Sequence, residues 1–567
     1  MRARRHAWRA AAALFALLFA AATYPGAVVV SMIVTLTPPP AASAAPQGAL
    51  PWLHVAHPKD ATPYIADDQG RMVLLHGAIP GGLIDFWSKT DPMRADTAPF
   101  YPIQPSAYDG RCPDSSPTMP VPPLCQADMA RMASFGFNSV RLALSWSLLE
   151  PKRGEFNETY VDRVRQVVGW ARDLGMYVII DMHQNAYSRY VGAPEEGIAY
   201  LRYYSGAPAW ATITDRFQSR GYLGQREVNP AVTQAATNFW YDRDGIQDEY
   251  IAAVAMLAQR FKDDSTVAGY SVFNEPWPGW NLPPGFEDLM LFPFYRRVID
   301  AVTGIHDGAP CWTRFFMPAV CGYPDLGVRD QRHLFFLDTG LLREVTDFPT
   351  HLGLPVSSYP NLVLGMHAYT HVYTFDKLAG QKEDKATYPW GGYDQSYALA
   401  EREAKAINAA LFVAELGNEP ALDALLLANQ LLEQERHKTG FAFWTWKESW
   451  GGRGWGMFDP VTGCLRVARE FLLARVYPRA SADRNLRYHY DDATGAFSLH
   501  ADGRSGDAPT LVFIPNEVRG AVALTGGVAR QSIDALEDGG RIVTVYPSGG
   551  EFGVAVSPQP LVSAGCA

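Results

Sequence analysis

A chain of 567 residues is longer than one hydrophobic core usually organises, so a large domain with a smaller companion is expected. It carries 59 acidic against 49 basic residues, a formal net charge of −10, with no Lys/Arg cluster beyond the N-terminus. That balance excludes a polyanionic partner such as nucleic acid.

In chain order, residues 1–45 have the pattern of an export signal: Arg2, Arg4, Arg5 and Arg9 precede an apolar run, and Ala42-Ser43-Ala44 offers a cleavage site. The apolar run extends from about Ala10 to Val34 and is broken by Pro25, so an uncleaved signal anchor is the alternative. Either form puts the body of the protein outside the cytoplasm, as a secreted or periplasmic protein. Six cysteines agree with an oxidising compartment. Cys112 with Cys125 and Cys311 with Cys321 could form local bridges, whereas Cys464 and Cys566 are too distant in sequence to assign. No CxxC pair or His-rich partner accompanies them, so no metal site is expected.

Between about residues 70 and 475, short apolar runs alternate with amphipathic stretches. The expected strands are RMVLLHG (71–77), NSVRLAL (138–144), MYVIID (176–181), AGYSVF (268–273), RFFMPA (314–319), NLVLGMH (361–367), LFVAEL (411–416) and FAFWTW (441–446). Segments such as TYVDRVRQVVGWARDLG between them repeat apolar residues at helical spacing, and this one ends in Gly175. Eight strands alternating with helices predict a closed parallel (β/α)8 TIM barrel over residues 51–477, with chemistry at the C-terminal strand ends. After about residue 478 the helical period ends. Short β-rich runs between Gly, Asp and Pro then predict a small C-terminal antiparallel β-sandwich domain over 478–567.

Two acids close expected strands. Glu275, in Asn274-Glu275-Pro276, ends the fourth, and Glu415 in LFVAEL ends the seventh. Carboxyls on two strand ends are the minimum equipment for hydrolysing a glycosidic bond with retention. Glu275 would be protonated at rest, its pKa raised by a desolvated wall and by the Glu415 carboxylate, and Glu415 would stay ionised to attack the anomeric carbon. Arg141 on the second strand can hold that carboxylate charged, Tyr369 can donate to it, and Asn274 can bond the sugar 2-OH. A second Asn-Glu-Pro at 418–420 opens the helix after the seventh strand, where Pro is tolerated, and is read as a decoy. The stretch from Asn185 to Asp248 is long for a strand-to-helix connection and is expected to fold over the cleft. Trp210, Trp240, Trp277, Trp280, Trp450 and Trp455 are candidates for sugar stacking or an apolar groove.

The set Arg141, His183, Asn274, Glu275, His367, Tyr369, Glu415 and Trp444 resembles the strand-end pattern of glycoside hydrolase family 5. More narrowly, DMHQNAYSRY (181–190), GAPAWA (206–211), NFWYDRDGIQDEY (238–250) and NEPWPG (274–279) are similar to endoglycoceramidases. The resemblance implies that His183 and His367 bond the sugar and the carboxylates and that Trp444 forms the floor under the ring. It implies a glycolipid or oligosaccharide substrate and contact with a membrane surface; carboxylates and water suffice for the mechanism, so no cofactor is expected, and the protein is expected to be a monomer. Two departures stand in the region expected to hold the sugar nearest the cut: Asn185 where such enzymes carry an acid, and HGAI where they continue HGVN. A changed sugar preference follows as an expectation. The alternatives are a polysaccharide-cleaving endo-β-glucanase or mannanase of the same family, and a non-catalytic glycan- or lipid-binding barrel.

Overall fold

The computed structural model describes residues 32–33, 49–59, 61–84, 124–191, 204–219, 227–281, 285–306, 325–349, 355–370, 392–447, 454–459 and 462–563. Eight parallel strands close a barrel: His76–Ala78, Ser139–Leu144, Tyr177–Met182, Val267–Ser271, Leu334–Asp338, Leu362–His367, Ala410–Leu416 and Gly440–Phe443. Spatial order is chain order, and Phe441 of the last strand pairs with His76 of the first. The second to seventh strands are buried at every position. Their sequences are near-continuous apolar runs for that reason, since a sheet covered on both faces has no polar side.

Six of these strands fall on the expected runs. The first run splits: Met72–Val73 joins an antiparallel sheet, and His76–Ala78 enters the barrel. The fifth strand corrects the expectation. Leu334–Asp338 lies between Val267–Ser271 and Leu362–His367, whereas 314–319 lies outside the described residues. Both segments hold two adjacent Phe in a short apolar run, and periodicity cannot rank them. HLFFLD differs in ending on an acid, Asp338, which the barrel uses.

Helices pack outside the strands. Glu158–Asp173 begins where the Asn157 side chain accepts from Tyr160 N, and buries Val161, Val164, Val168 and Ala171 at helical spacing. Gly175, at φ +66°, ends its exit turn. Pro230–Trp240, capped by Asn229 and opened by Pro230, lies within the long stretch expected to cover the cleft.

An antiparallel sheet occupies the C-terminal region, with strands Tyr477–Ser481, Arg484–Tyr490, Phe497–Gly503, Thr510–Ile514, Val522–Ala535 and Arg541–Val556. Leu53–Ala56, Tyr64–Asp67 and Met72–Val73 extend it from the other side of the chain, Met72 and Val73 pairing with Ser481 and Ala480. Alternate burial along Phe497–Gly503 puts one face on a core that includes Tyr488, Phe497, Phe513 and Val543. The His76 ring stacks on Tyr477 with centroids 3.8 Å apart, and Tyr477 OH donates to Gly136 O at 2.7 Å, joining sheet to barrel.

Cys125 and Cys464 each take part in a disulfide. Cys112, Cys311, Cys321 and Cys566 lie outside the described residues, as does the N-terminal segment apart from 32–33. No helix among the described residues is long and apolar enough to cross a membrane.

Candidate active site

The fourth and seventh barrel strands carry the two acids to one end of the barrel. Glu275 lies four residues past Val267–Ser271, in left-handed backbone with φ 43°. That conformation costs a non-glycine residue on the order of 1 kcal/mol or more and persists only where the surroundings enforce it. Gln184 enforces it here: its Nε2 donates to Asn274 O at 2.6 Å and to Glu275 O at 2.9 Å. On the seventh strand, pairing with the sixth slips by one residue after Met366, so that His367 lies opposite Glu415. A bulge beside a site re-aims side chains in this way.

One carboxyl oxygen of Glu275, one of Glu415 and a ring nitrogen of His367 lie within 4.8 Å of one another. Arg141 Nη1 donates to Glu415 Oε1 at 2.7 Å and Tyr369 OH donates to Oε2 at 2.8 Å. Arg141 Nη2 faces Asp181 Oδ1 at 3.1 Å, Asp338 Oδ2 at 3.0 Å and Asn274 Oδ1 at 3.0 Å. One buried guanidinium therefore links the ends of the second, third, fifth and seventh strands. His367 Nε2 meets Asp338 Oδ2 at 3.0 Å, while Nδ1 lies 3.2 Å from Glu275 Oε1 and 3.6 Å from Glu415 Oε2.

Burial pushes Glu415 above the usual carboxylate range, and Glu275 adds to that push, while His367, Arg141 and His183 pull the other way. Two carboxyls this close share the burden of one proton, and the donors on Glu415 assign the charge to it. Burial opposes charge on Arg141 too, but Asp181, Asp338 and Glu415 together raise its pKa. Glu275, His367 and Glu415 have donor types that suit a cation, yet both Glu415 oxygens already accept from Arg141 and Tyr369. The arrangement fits proton and acyl-type carboxylate chemistry better than metal ligation.

His183 donates from Nδ1 to Asp181 Oδ2 at 2.9 Å, which leaves Nε2 as acceptor for Asn185 Nδ2 at 3.2 Å. Asn274 Nδ2 donates to Gln184 O at 2.8 Å and also faces that ring nitrogen at 3.5 Å. The half-buried Trp444 follows the eighth strand with its ring parallel to His183, centroids 5.3 Å apart. Seven of the expected residues thus gather around Glu275, Glu415 and Arg141: His183, Asn185, Asn274, His367, Tyr369 and Trp444 directly or through one neighbour, with Trp455 added by its contact with Tyr369 at 5.9 Å.

Trp277 stands apart, its ring N–H on Thr233 Oγ1 at 3.4 Å and its carbonyl accepting from Trp240 Nε1. Trp240 is core, Trp210 packs edge-on against Trp146, Trp280 is 53% exposed, and Trp450 lies outside the described residues. The second Asn-Glu-Pro points elsewhere: Asn418 Nδ2 bonds Asp423 Oδ1 at 2.8 Å, and Arg469 Nη2 donates to Asn418 O at 2.9 Å. Sequence reasoning missed Asp181, Gln184, Asp338 and Glu344. The first two lie inside DMHQ, a motif noticed for its His, and Asp338 was hidden with the fifth strand.

The family model for cellulase (glycosyl hydrolase family 5) matches residues 116–449. Endoglycoceramidase I of Rhodococcus hoagii is 25% identical over 508 residues, covering 86% of this chain and 85% of that protein. The crystal structure of an endogalactoceramidase superposes with TM-score 0.68 at 26% identity, over 90% of this chain and all of that one. Endo-glycoceramidase II from Rhodococcus sp., in complex with ganglioside GM3, superposes with TM-score 0.65 at 22% identity over 88% of this chain and 99% of that one, a likeness of fold. With the family model spanning more than half of its length, and with both carboxyls at its strand ends, the chain belongs to glycosyl hydrolase family 5 and is a glycoside hydrolase.

Proposed function

We propose that this enzyme is a retaining β-glycosidase that cleaves glycosphingolipids at the bond between sugar and lipid, with Glu415 as nucleophile and Glu275 as acid/base. The observation that carries the retaining mechanism is the approach of the two carboxyls to within 4.8 Å. Retaining enzymes hold their pair roughly 5–5.5 Å apart, whereas inverting enzymes need roughly 6.5–9.5 Å for an intervening water. In glycosylation, Glu275 gives its proton to the leaving oxygen while Glu415 attacks the anomeric carbon and forms a glycosyl ester. Arg141 and Tyr369 keep Glu415 ionised and aimed until then. Water then releases the sugar, with Glu275 taking its proton.

The lipid-linked substrate is supported by similarity over nearly full length to endoglycoceramidase I and endogalactoceramidase, not by the carboxyl geometry. The exposed Trp280, in the segment after the fourth barrel strand, lies beside the exposed Phe217 with ring centroids 6.0 Å apart and supports contact with an apolar substrate or a membrane surface. Export from the cytoplasm, argued from residues 1–45, belongs to the same proposal. The test offers detergent-solubilised glucosyl- and galactosyl-linked glycolipids beside cellulosic and mannan chains. Release of intact sugar from the lipid with retained anomeric configuration by NMR, lost in Glu415→Ala, is expected. Inverted product, or shortening of polysaccharide with glycolipid untouched, would sink it.

A further inference from the structure

Glu344 has no part in the reaction just described, yet it is a third acid on Nδ1 of His367. It sits on the short helix Leu341–Thr346, fully buried, directly after the fifth barrel strand. Its Oε1 accepts from Thr339 Oγ1 at 3.3 Å. Its Oε2 has no hydrogen-bond partner among the described residues and lies 3.5 Å from His367 Nδ1. An isolated carboxylate in such a place is costly, so a proton must be close by.

The two ring nitrogens of His367 are not equivalent. Nε2 meets Asp338 Oδ2 at 3.0 Å, and that oxygen also accepts from Arg141 Nη2 at 3.0 Å, so it serves as an acceptor and Nε2 keeps its hydrogen. Nδ1 is the variable position, facing Glu275 Oε1 at 3.2 Å, Glu344 Oε2 at 3.5 Å and Glu415 Oε2 at 3.6 Å. A neutral ring accepts there, and a charged ring donates. We infer that Glu344 and His367 share one proton that follows the negative charge between Glu415 and Glu275, making Glu344 a positioning residue of the hydrolytic cycle. This rests on the retaining reading above.

Glycosylation moves charge from one acid to the other. Glu415 commits an electron pair to the new C–O bond, and Glu275 loses its proton to the leaving oxygen. Glu415 has fixed donors in Arg141 and Tyr369, whereas Glu275 Oε1 faces Nδ1. The Glu344 O–H bond breaks, Nδ1–H forms, and the imidazolium donates to the new Glu275 carboxylate. When water hydrolyses the ester, Glu275 regains a proton, Glu415 regains its charge, and Nδ1 returns the borrowed proton to Glu344. No proton is gained or lost over the cycle.

The groups that face the pair favour a proton held on it. Around Glu344 stand Asp338, Glu275, Glu415, His367, Arg141 and Tyr295. Arg343 beside it turns away to Glu403 and Asp347, and Glu287 meets Gly340 N. Burial pushes Glu344 well above the usual carboxylate range; His367 opposes this, while Asp338, Glu275 and Glu415 reinforce it. Burial opposes charge on His367, but Glu344, Glu415 and Asp338 raise it well above its ordinary value.

The experiment measures kcat and KM across pH for wild type, Glu344→Gln and Glu344→Asp on a detergent-solubilised glycolipid. The amide keeps the shape but cannot release a proton to the ring. Glu344→Gln is expected to lose about tenfold to a hundredfold in kcat with KM little changed, and to shift the alkaline limb of the pH profile, with Glu344→Asp recovering part of both. A Glu344→Gln enzyme with wild-type kcat and limb would overturn the inference while leaving the retaining reading intact. A wild type that hydrolyses no β-glycoside would overturn both. If Glu344→Gln fails to fold, the wild type decides through the 15N shift of the His367 ring: a change on accumulating the glycosyl-enzyme is expected, and an unchanged shift overturns the inference.

Discussion

Two buried carboxylates of this molecule, Glu435 beside the antiparallel sheet and Glu344 at the catalytic end, are treated in opposite ways. At the seam between barrel and antiparallel sheet, both oxygens of Glu435 are used: Arg475 and Tyr490 N donate to Oε1, and His489 Nδ1 meets Oε2 at 2.9 Å. At the catalytic end, Asp181, Asp338, Glu275, Glu344 and Glu415 surround one guanidinium and two imidazoles. Asp338 Oδ1 and Glu344 Oε2 there have no hydrogen-bond partner among the described residues. Fully paired acids fix a geometry, whereas an under-neutralised cluster keeps protons in play. The difference separates what holds the fold from what does chemistry.

Breaking Arg141 should have the largest effect, because it removes the one charge that the site cannot replace. Arg141→Ala is expected to lower kcat on the order of a thousandfold and to cost about 3–5 kcal/mol, as removal of one partner of a buried ion set does. Activity assays and chemical denaturation check the two numbers. Arg141→Lys should not restore activity, since an ammonium cannot meet Glu415, Asp181 and Asp338 in a planar fork.

Arg475→Ala tests the other side. It leaves Glu435 buried beside the sheet and removes the guanidinium that lies 5.0 Å over the Tyr490 ring. A loss of about 3 kcal/mol is expected with kcat/KM unchanged below the melting transition. If kcat/KM fell with stability untouched, the proposed separation of the regions would be wrong.

Glu517 gives the seam a pH dependence. Burial, with Glu470 alongside and Arg131 opposing, raises its pKa from 4.5 to about 7. The folded state therefore holds a proton that the unfolded chain releases between those values. Its contribution is fully present below pH 4.5 and is lost as pH rises through about 7, on the order of 3 kcal/mol in all. Glu517→Gln should flatten the melting temperature across that window, and an unaltered slope would exclude Glu517 as the titrating group.

The barrel was legible because six parallel strands, covered on both faces, cannot be other than apolar runs, and Glu275 and Glu415 were legible as acids closing two of them. The fifth strand was not, since its Phe-Phe core has a near twin at 314–319 and only pairing chooses between them. Losing that strand lost Asp338, and with it the anchor of His367. Glu344 carried no signal at all: an acid on a short helix is usually solvated, and only tertiary packing turns it inward. The N-terminal strands of the antiparallel sheet were missed for a related reason. Leu53–Ala56 and Tyr64–Asp67 are four residues each and pair with one another, and they reach the rest of the sheet only through Met72–Val73, whose partners Ser481 and Ala480 lie several hundred positions away.

The smallest expected effect probes the departure at Asn185. Asn185 is buried and its amide donates to His183 Nε2, so His183 needs only the hydrogen it gives to Asp181. An acid at 185 would instead require a second hydrogen on the ring, which would make it a cation between two carboxylates and end its role as acceptor for Asn274. The ring lies flat against Trp444, so its charge and tilt reach the expected floor of the sugar site. Asn185→Asp should therefore change discrimination more than turnover: the ratio of kcat/KM between glucosyl- and galactosyl-linked glycolipids should shift about tenfold, roughly 1.4 kcal/mol. Stability should hold, because the bridge from Asn185 to Ser205 is made by backbone at 3.0 and 3.1 Å. An unchanged ratio, with Asn185→Ala also silent, would detach position 185 from sugar choice and leave His183 as a structural neighbour of Arg141's carboxylates rather than a reader of substrate.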